Sequence, residues 1–225
     1  MKYAYKVLHI EGISQERDAA VNGVKQIMAG IDELPCLTID FITPEYRHRF
    51  LDQNPDFKTT KPFKIGELGV WASNIEAWKA FLESDYDALL IFEDDVKLDP
   101  DFVKGMEGYL DKLPLDWDLF SPYIHWWQES NLYKEEYLVN DDICIAYQNW
   151  SLAAYFISKE GARKALASIS GGIYTAVDLH LFKGIYDFHA YTTTPKAKKY
   201  SDLYYFESTI QNNPKLMSVS AGGLN

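Results

Sequence analysis

Five apolar residues in a row, Ala88-Leu89-Leu90-Ile91-Phe92, run without a break into three acids, Glu93-Asp94-Asp95. An apolar run of that length with no polar alternation predicts a strand covered on both faces, the kind found inside a parallel sheet, and so an α/β fold. In open α/β sheets ligands collect beyond the carboxyl ends of the strands, which is where these carboxylates stand. Ionising all three on one stiff strand end is costly unless a divalent cation or a ligand's positive charge offsets them. The competing reading is plain solvation, because acids also close strands where the chain reaches water. On an extended backbone Glu93 and Asp95 point to one side and Asp94 to the other, so Glu93 and Asp95 can share a ligand.

Tyr3 to Ile10 reads as a first strand, and Ser14 as the N-cap of a helix carrying Ala20, Val24, Ile27 and Met28 on one face. Cys36 to Ile42 reads as a second strand closed by Thr43-Pro44. This β-α-β order begins a doubly wound sheet, with a nucleotide lying after the first strand. Arg17 is the charge placed there, readable as a solvated helix arginine or as a phosphate or base contact. Arg47 to Phe63 is a loop with a short helix. Glu67 to Ser84 carries the clearest helical spacing, in Leu68, Trp71, Ile75, Trp78 and Leu82, with Ser73 and Asn74 off that line as helix-surface residues.

Asp99-Pro100 reads as the N-cap and first residue of the next helix, followed by strands at Trp117–Ser121 and Ser151–Ile157. Ser158 caps a helix that ends at Gly171-Gly172, and Ala190 to Thr193 is a short strand. Asp178 reads equally as an N-cap or as a carboxylate displayed at a cleft. His180 and His189 are structural histidines or additional metal ligands. Ile124 to Asn140, containing His125, Trp126, Trp127 and Gln128, is a surface hairpin or a binding loop. Lys196, Lys198 and Lys199 are solvated or face a diphosphate. The tail from Ser208 is polar, aperiodic and loosely held.

A formal net charge of −11 argues against a general affinity for nucleic acid, whose phosphates demand a basic surface. Cys36 and Cys144 form neither a disulfide scaffold nor a metal spacing, which points to a reducing compartment. The first ten residues lack a signal-peptide pattern, and no window is apolar enough to span a membrane, so a cytoplasmic protein is expected. Aromatic residues make up 15% of the chain; flat rings fill cores and also hold sugars.

Gly66-Glu67-Leu68-Gly69 with Ser73 and Trp78, Leu90 to Val96, Ala154 to Ser158 with Gly161-Ala162, and Val177-Asp178 occur in an order and spacing that resembles glycosyltransferase family 25. That group includes lipopolysaccharide-synthesis and collagen galactosyltransferases. The family usually has Ser-His at Ser73-Asn74, and an Asn-Leu pair with clustered arginines where this chain has Leu8-His9-Ile10 and Arg17. The resemblance implies a single GT-A type, Rossmann-like domain with a mixed, mostly parallel central sheet. Its nucleotide-binding half would be 1–100, its acceptor side 101–207 and its tail 208–225. It also implies manganese or magnesium on Asp95 and Glu93, with a UDP-sugar donor, most simply UDP-galactose, met by Arg17, Ser73, Glu93 and Asp94. Asp178 would be the catalytic base toward a saccharide or glycoconjugate acceptor, with Tyr123, Trp126 and Trp127 as the acceptor platform. The alternatives are a non-catalytic carbohydrate- or nucleotide-binding descendant and, third, a metal enzyme acting on phosphates.

Overall fold

The apolar run forms the second strand of the main sheet. The computed structural model describes residues 1–123, 129, 133–149, 151–182 and 187–204, and the backbone of 218–219. In chain order the elements are β1 (Tyr3–Leu8), α1 (Gln15–Ile27), α2 (Pro44–Gln53), β2 (Phe63–Lys64), α3 (Ile65–Leu82), β3 (Ala88–Glu93), β4 (Val96–Leu98) and α4 (Phe102–Leu110). There follow β5 (Leu119–Ser121), β6 (Ile143–Ile145), β7 (Ala154–Ser158), α5 (Lys159–Ser168), α6 (Val177–Phe182), β8 (Ala190–Thr193), β9 (Ser201–Leu203) and β10 (Ser218–Val219).

Six strands make one sheet in the order β1-β3-β7-β5-β8-β6. β1, β3, β5 and β8 share one direction while β7 and β6 run against them, so the sheet is mixed and mostly parallel in strand direction. β3 itself is parallel to β1 but antiparallel to β7, so its neighbours are not all parallel as the run suggests. The run reports burial on both faces, and here both are covered. Leu89 and Ile91 join a core with Trp71, Trp78 and Phe81 of α3 and Ala162 of α5. Ala88, Leu90 and Phe92 join another with Val24 of α1, Met28, and Phe102 and Met106 of α4. Each large apolar side chain fully buried this way contributes roughly 1.5–3 kcal/mol.

Two helix starts follow the sequence reading: Ser14 Oγ accepts from the Arg17 amide at 3.4 Å, and Ser158 Oγ from the Gly161 amide at 3.0 Å. The end of α3 is closed by a distant cation. Lys159 Nζ donates to the carbonyls of Phe81, Leu82 and Ser84.

Residues 36–42 are not a strand. Glu33 makes a single parallel bridge to Tyr5, and the ladder stops there because Pro35 has no N–H and the Cys36 amide turns back onto the Leu34 carbonyl at 2.9 Å. The segment docks on α3 instead. Its Ile39 amide donates to Ser73 Oγ at 2.8 Å, and a Cβ at Gly69 would come within 3.3 Å of the Ile39 carbonyl oxygen. Ser73 and Asn74 are therefore buried, not on the helix surface. The doubly wound opening is cut short, and β3 supplies the strand beside β1. Thr43-Pro44 starts α2 rather than closing a strand, with proline in the first turn, where a missing N–H costs nothing. α4 begins at Phe102; Asp99 Oδ1 takes the Asp101 amide at 2.8 Å in a turn ahead of the helix rather than capping it. β10 of the tail pairs with β2, and the rest of the tail lies outside the described residues.

Candidate active site

Because β1, β3, β5 and β8 share a direction, their carboxyl ends lie along one edge of the sheet. β3 ends there at Glu93, and Asp94-Asp95 form the turn into β4, which leaves the main sheet to pair with β9. The turn is braced on both sides. The Glu93 amide donates to the Ala153 carbonyl at 3.1 Å, and the Tyr204 amide to the Asp95 carbonyl at 2.7 Å.

Asp94 and Asp95 sit in a turn, so strand alternation does not set their sides. Hydrogen bonding does. Asp94 Oδ1 accepts from Arg17 Nη1, and Asp94 Oδ2 lies 3.0 Å from His9 Nδ1. The other ring nitrogen of His9, Nε2, lies 2.7 Å from Asp18 Oδ1, which also accepts from the Gly12 amide at 3.1 Å. Among the described residues, Glu93 and Asp95 have no such clamp of basic side chains. Burial, followed by the charges of Asp95, Asp178 and Asp94, pushes the Glu93 carboxyl up to about 8 against the pull of Arg17. Burial also raises the Asp95 carboxyl, and Asp95 Oδ1 is buried without a hydrogen-bond partner among the described residues.

Asp178 is the second residue of α6, past the capping position, so the N-cap reading fails. It is a largely buried carboxylate that acts electrostatically on Glu93, and burial raises its pKa although the Leu179 amide, 2.7 Å from Oδ1, opposes this. The two sequence-predicted acids of the site, at the end of β3 and the start of α6, are thus brought within each other's field. Ser73 is placed behind β3, its hydroxyl committed to the Ile39 amide. Asn74 lies there too: its Oδ1 accepts from the Tyr155 hydroxyl at 2.5 Å, which accepts from Trp78 Nε1 at 2.9 Å.

Tyr123 follows β5 on the same sheet edge as Glu93; it is buried, and its carbonyl accepts from Asn149 Nδ2 at 2.9 Å and Ser121 Oγ at 2.8 Å. Trp126 and Trp127 lie outside the described residues. His180 is structural: burial holds it down at about 4, its Nε2 is 2.7 Å from Ser168 Oγ, and its ring packs edge-on against Trp71. His189 is at the surface beside Asp116, while Lys198 and Lys199 pair with Asp101 and Glu129. Sequence reasoning missed His9 and Asp18. A signal existed, since His9 directly follows β1, whose last residue Leu8 registers with Glu93, and the carboxyl-end rule applies to β1 as it does to β3.

Among the described residues, no three His, Cys, Asp or Glu side chains converge as a metal cage. Magnesium and similar hard cations do not require one, since they keep several waters and bind through one or two carboxylates plus substrate phosphates. Glu93 and Asp95 suit that chemistry: both are oxygen donors, the Glu93 carboxyl is raised by burial and then by surrounding negative charge, and one Asp95 oxygen is unsatisfied among the described residues.

Residues 43–181, more than half of the chain, match the family model described as glycosyltransferase family 25 (LPS biosynthesis protein). The chain belongs to glycosyltransferase family 25. It is 28% identical over 149 residues to procollagen galactosyltransferase 2 of Homo sapiens, covering 65% of this chain and 22% of that protein. A glycosyltransferase 25 family member of Aedes aegypti is 28% identical over 122 residues, 52% of this chain and 19% of that protein. Probable inactive glycosyltransferase 25 family member 3 of Rattus norvegicus is 31% identical over 109 residues, 46% of this chain and 18% of that protein. The chain thus matches about a fifth of the length of these family 25 relatives. The family match includes Ser73, the acidic turn, Tyr123 and Asp178, and begins after His9, Arg17 and Asp18. No described helix is long and apolar enough to cross a membrane.

Proposed function

We propose that this family 25 chain is a GT-A type transferase that moves a sugar, galactose first, from a UDP-sugar to a hydroxyl of a saccharide or glycoconjugate acceptor. Manganese or magnesium would be held by Glu93 and Asp95. One observation carries the reading: two half-buried carboxylates at the carboxyl end of β3, both raised by burial, one with an oxygen unsatisfied among the described residues, and a third acid, Asp178, in the field of Glu93. The bound dication supplies Lewis-acid stabilisation of the charge that develops on the diphosphate leaving group. The chain's own groups do the rest. Arg17, ion-paired with Asp94, would hold the acidic turn beside the donor phosphates. If transfer inverts, the acceptor oxygen bonds to the anomeric carbon as the bond to the diphosphate breaks, and Asp178 takes the hydroxyl proton. Its raised pKa makes it a better base than an exposed aspartate. Tyr123, with Trp126 and Trp127, belongs to the acceptor side of this reading. The free thiols Cys36 and Cys144 support a cytoplasmic location.

A second reading, a non-catalytic sugar- or nucleotide-binding protein, is favoured by the relative named probable inactive and by the capture of Asp94 by Arg17 and His9. A panel of UDP-sugars, assayed for hydrolysis and transfer with and without manganese, separates the two. Turnover that requires manganese and is lost in Asp95→Ala supports the transferase. Binding without turnover supports the second reading, and an Asp95→Ala protein that binds donor and metal as before refutes the site.

A further inference from the structure

We infer that His9, locked by Asp18, is a positioning residue that orients the acidic turn through Asp94, and that Asp94 is thereby an anchor rather than a cation ligand. The inference rests on the cation reading of Glu93 and Asp95 and narrows it. Both oxygens of Asp94 are used by basic side chains, Oδ1 by Arg17 and Oδ2 by the His9 ring. Both His9 ring nitrogens face carboxylate oxygens, Nδ1 that of Asp94 and Nε2 that of Asp18, so the ring is a strut between two acids. The strut is shielded, with 10% of the His9 side chain and 12% of the Arg17 side chain exposed.

Its far end is fixed as well. Asp18 takes the Gly12 amide, and Gly12 has φ of +84°, a conformation other residues adopt only under strain. Arg17 and Asp18 are neighbours in the first turn of α1, so one turn of helix supplies both the direct and the His9-mediated hold on Asp94. Arg17 ion-pairs with Asp94 and His9 bridges Asp94 to Asp18, which leaves Glu93 and Asp95 as the acids of the turn without a basic side-chain partner among the described residues. Outer groups that fix liganding carboxylates commonly alter metal affinity by about 10–100-fold when removed.

The test uses the full chain, with two measurements on wild type, His9→Leu, Asp94→Asn, the double variant, His9→Gln and Asp95→Asn. Free manganese is followed by electron paramagnetic resonance, and hydrogen exchange at Asp94–Val96 is followed without metal. His9→Leu should weaken manganese binding and speed exchange, each about tenfold. In the Asp94→Asn background the same change should do little, roughly threefold or less, because neighbours acting through one contact are non-additive. His9→Gln, which can still donate to Asp94, should recover part of both effects and guards against a His9→Leu chain that fails to fold. Asp95→Asn should lose manganese binding outright. Additive effects of His9→Leu and Asp94→Asn, or an Asp94→Asn protein as impaired in manganese binding as Asp95→Asn, would overturn the inference. A wild type that binds no manganese but keeps the exchange coupling would sink the cation reading and leave the positioning role standing.

Discussion

Removing the charge of Glu93 should stabilise the metal-free protein, and by an amount that depends on pH. The folded chain holds the Glu93 proton to about 8, whereas the unfolded chain releases it near the ordinary glutamate value of 4.5. Between those values the folded state binds more protons, so wild-type stability falls as pH rises, at a limiting slope of about 1.4 kcal/mol per pH unit. Glu93 is half-buried and shares its repulsion with Asp95 and Asp178, so the measurable share from pH 5 to pH 8 is about 2 kcal/mol after discounting for solvent screening. Glu93→Gln keeps the shape and deletes the titration. Urea unfolding in chelator should show the variant close to wild type at pH 5 and about 2 kcal/mol more stable at pH 8. Adding manganese with a UDP-sugar should erase that advantage, because only the wild type gains from the ligand. Parallel stability curves for the two proteins from pH 5 to 8 would refute the claim that the turn stores electrostatic strain.

Further outcomes test the scaffold. His180 is held down at about 4 by burial, so the unfolded chain takes up a proton first as pH falls and stability is lost from pH 6.5 toward 4, by up to roughly 3 kcal/mol; His180→Gln should flatten that limb in urea titrations. Gly161→Ala would put a Cβ 2.4 Å from the Asp118 backbone carbonyl oxygen, and chemical denaturation should show a loss of about 3 kcal/mol. Lys159→Met strips the three α3-terminal carbonyls of their shared donor and should cost about 1–2 kcal/mol, read from the urea midpoint.

What could be read in advance was local. The β3 run, the Ser14 and Ser158 caps and the apolar spacing of α3 are patterns of near neighbours, and each formed close to where the sequence places it. Residues 36–42 have strand-like composition yet are not a strand, because Pro35 ends the ladder and α3 offers Gly69 and Ser73 as a closer partner, a choice made by tertiary contact. Ser73 and Asn74 look like surface residues by spacing; α3 is in fact covered on most of its circumference. At the candidate site, the acidic residues and Asp178 stood out by residue type alone. His9 and Asp18 did not, because their importance arises only once β1 registers with β3 and brings residue 9 level with residue 94.

The Tyr204 amide that braces Asp95, and the β9 strand that pairs with β4, come from much later in the chain than the turn. On the ribosome the acidic turn therefore emerges well before the segment that secures it, and long-range closure of this kind is slow compared with local folding. The sheet can assemble from β1, β3, β7 and β5 while the turn is still free on one side. The finished shape of the acidic turn is consequently a late acquisition of the nascent polypeptide, separable in time from the gain of its core.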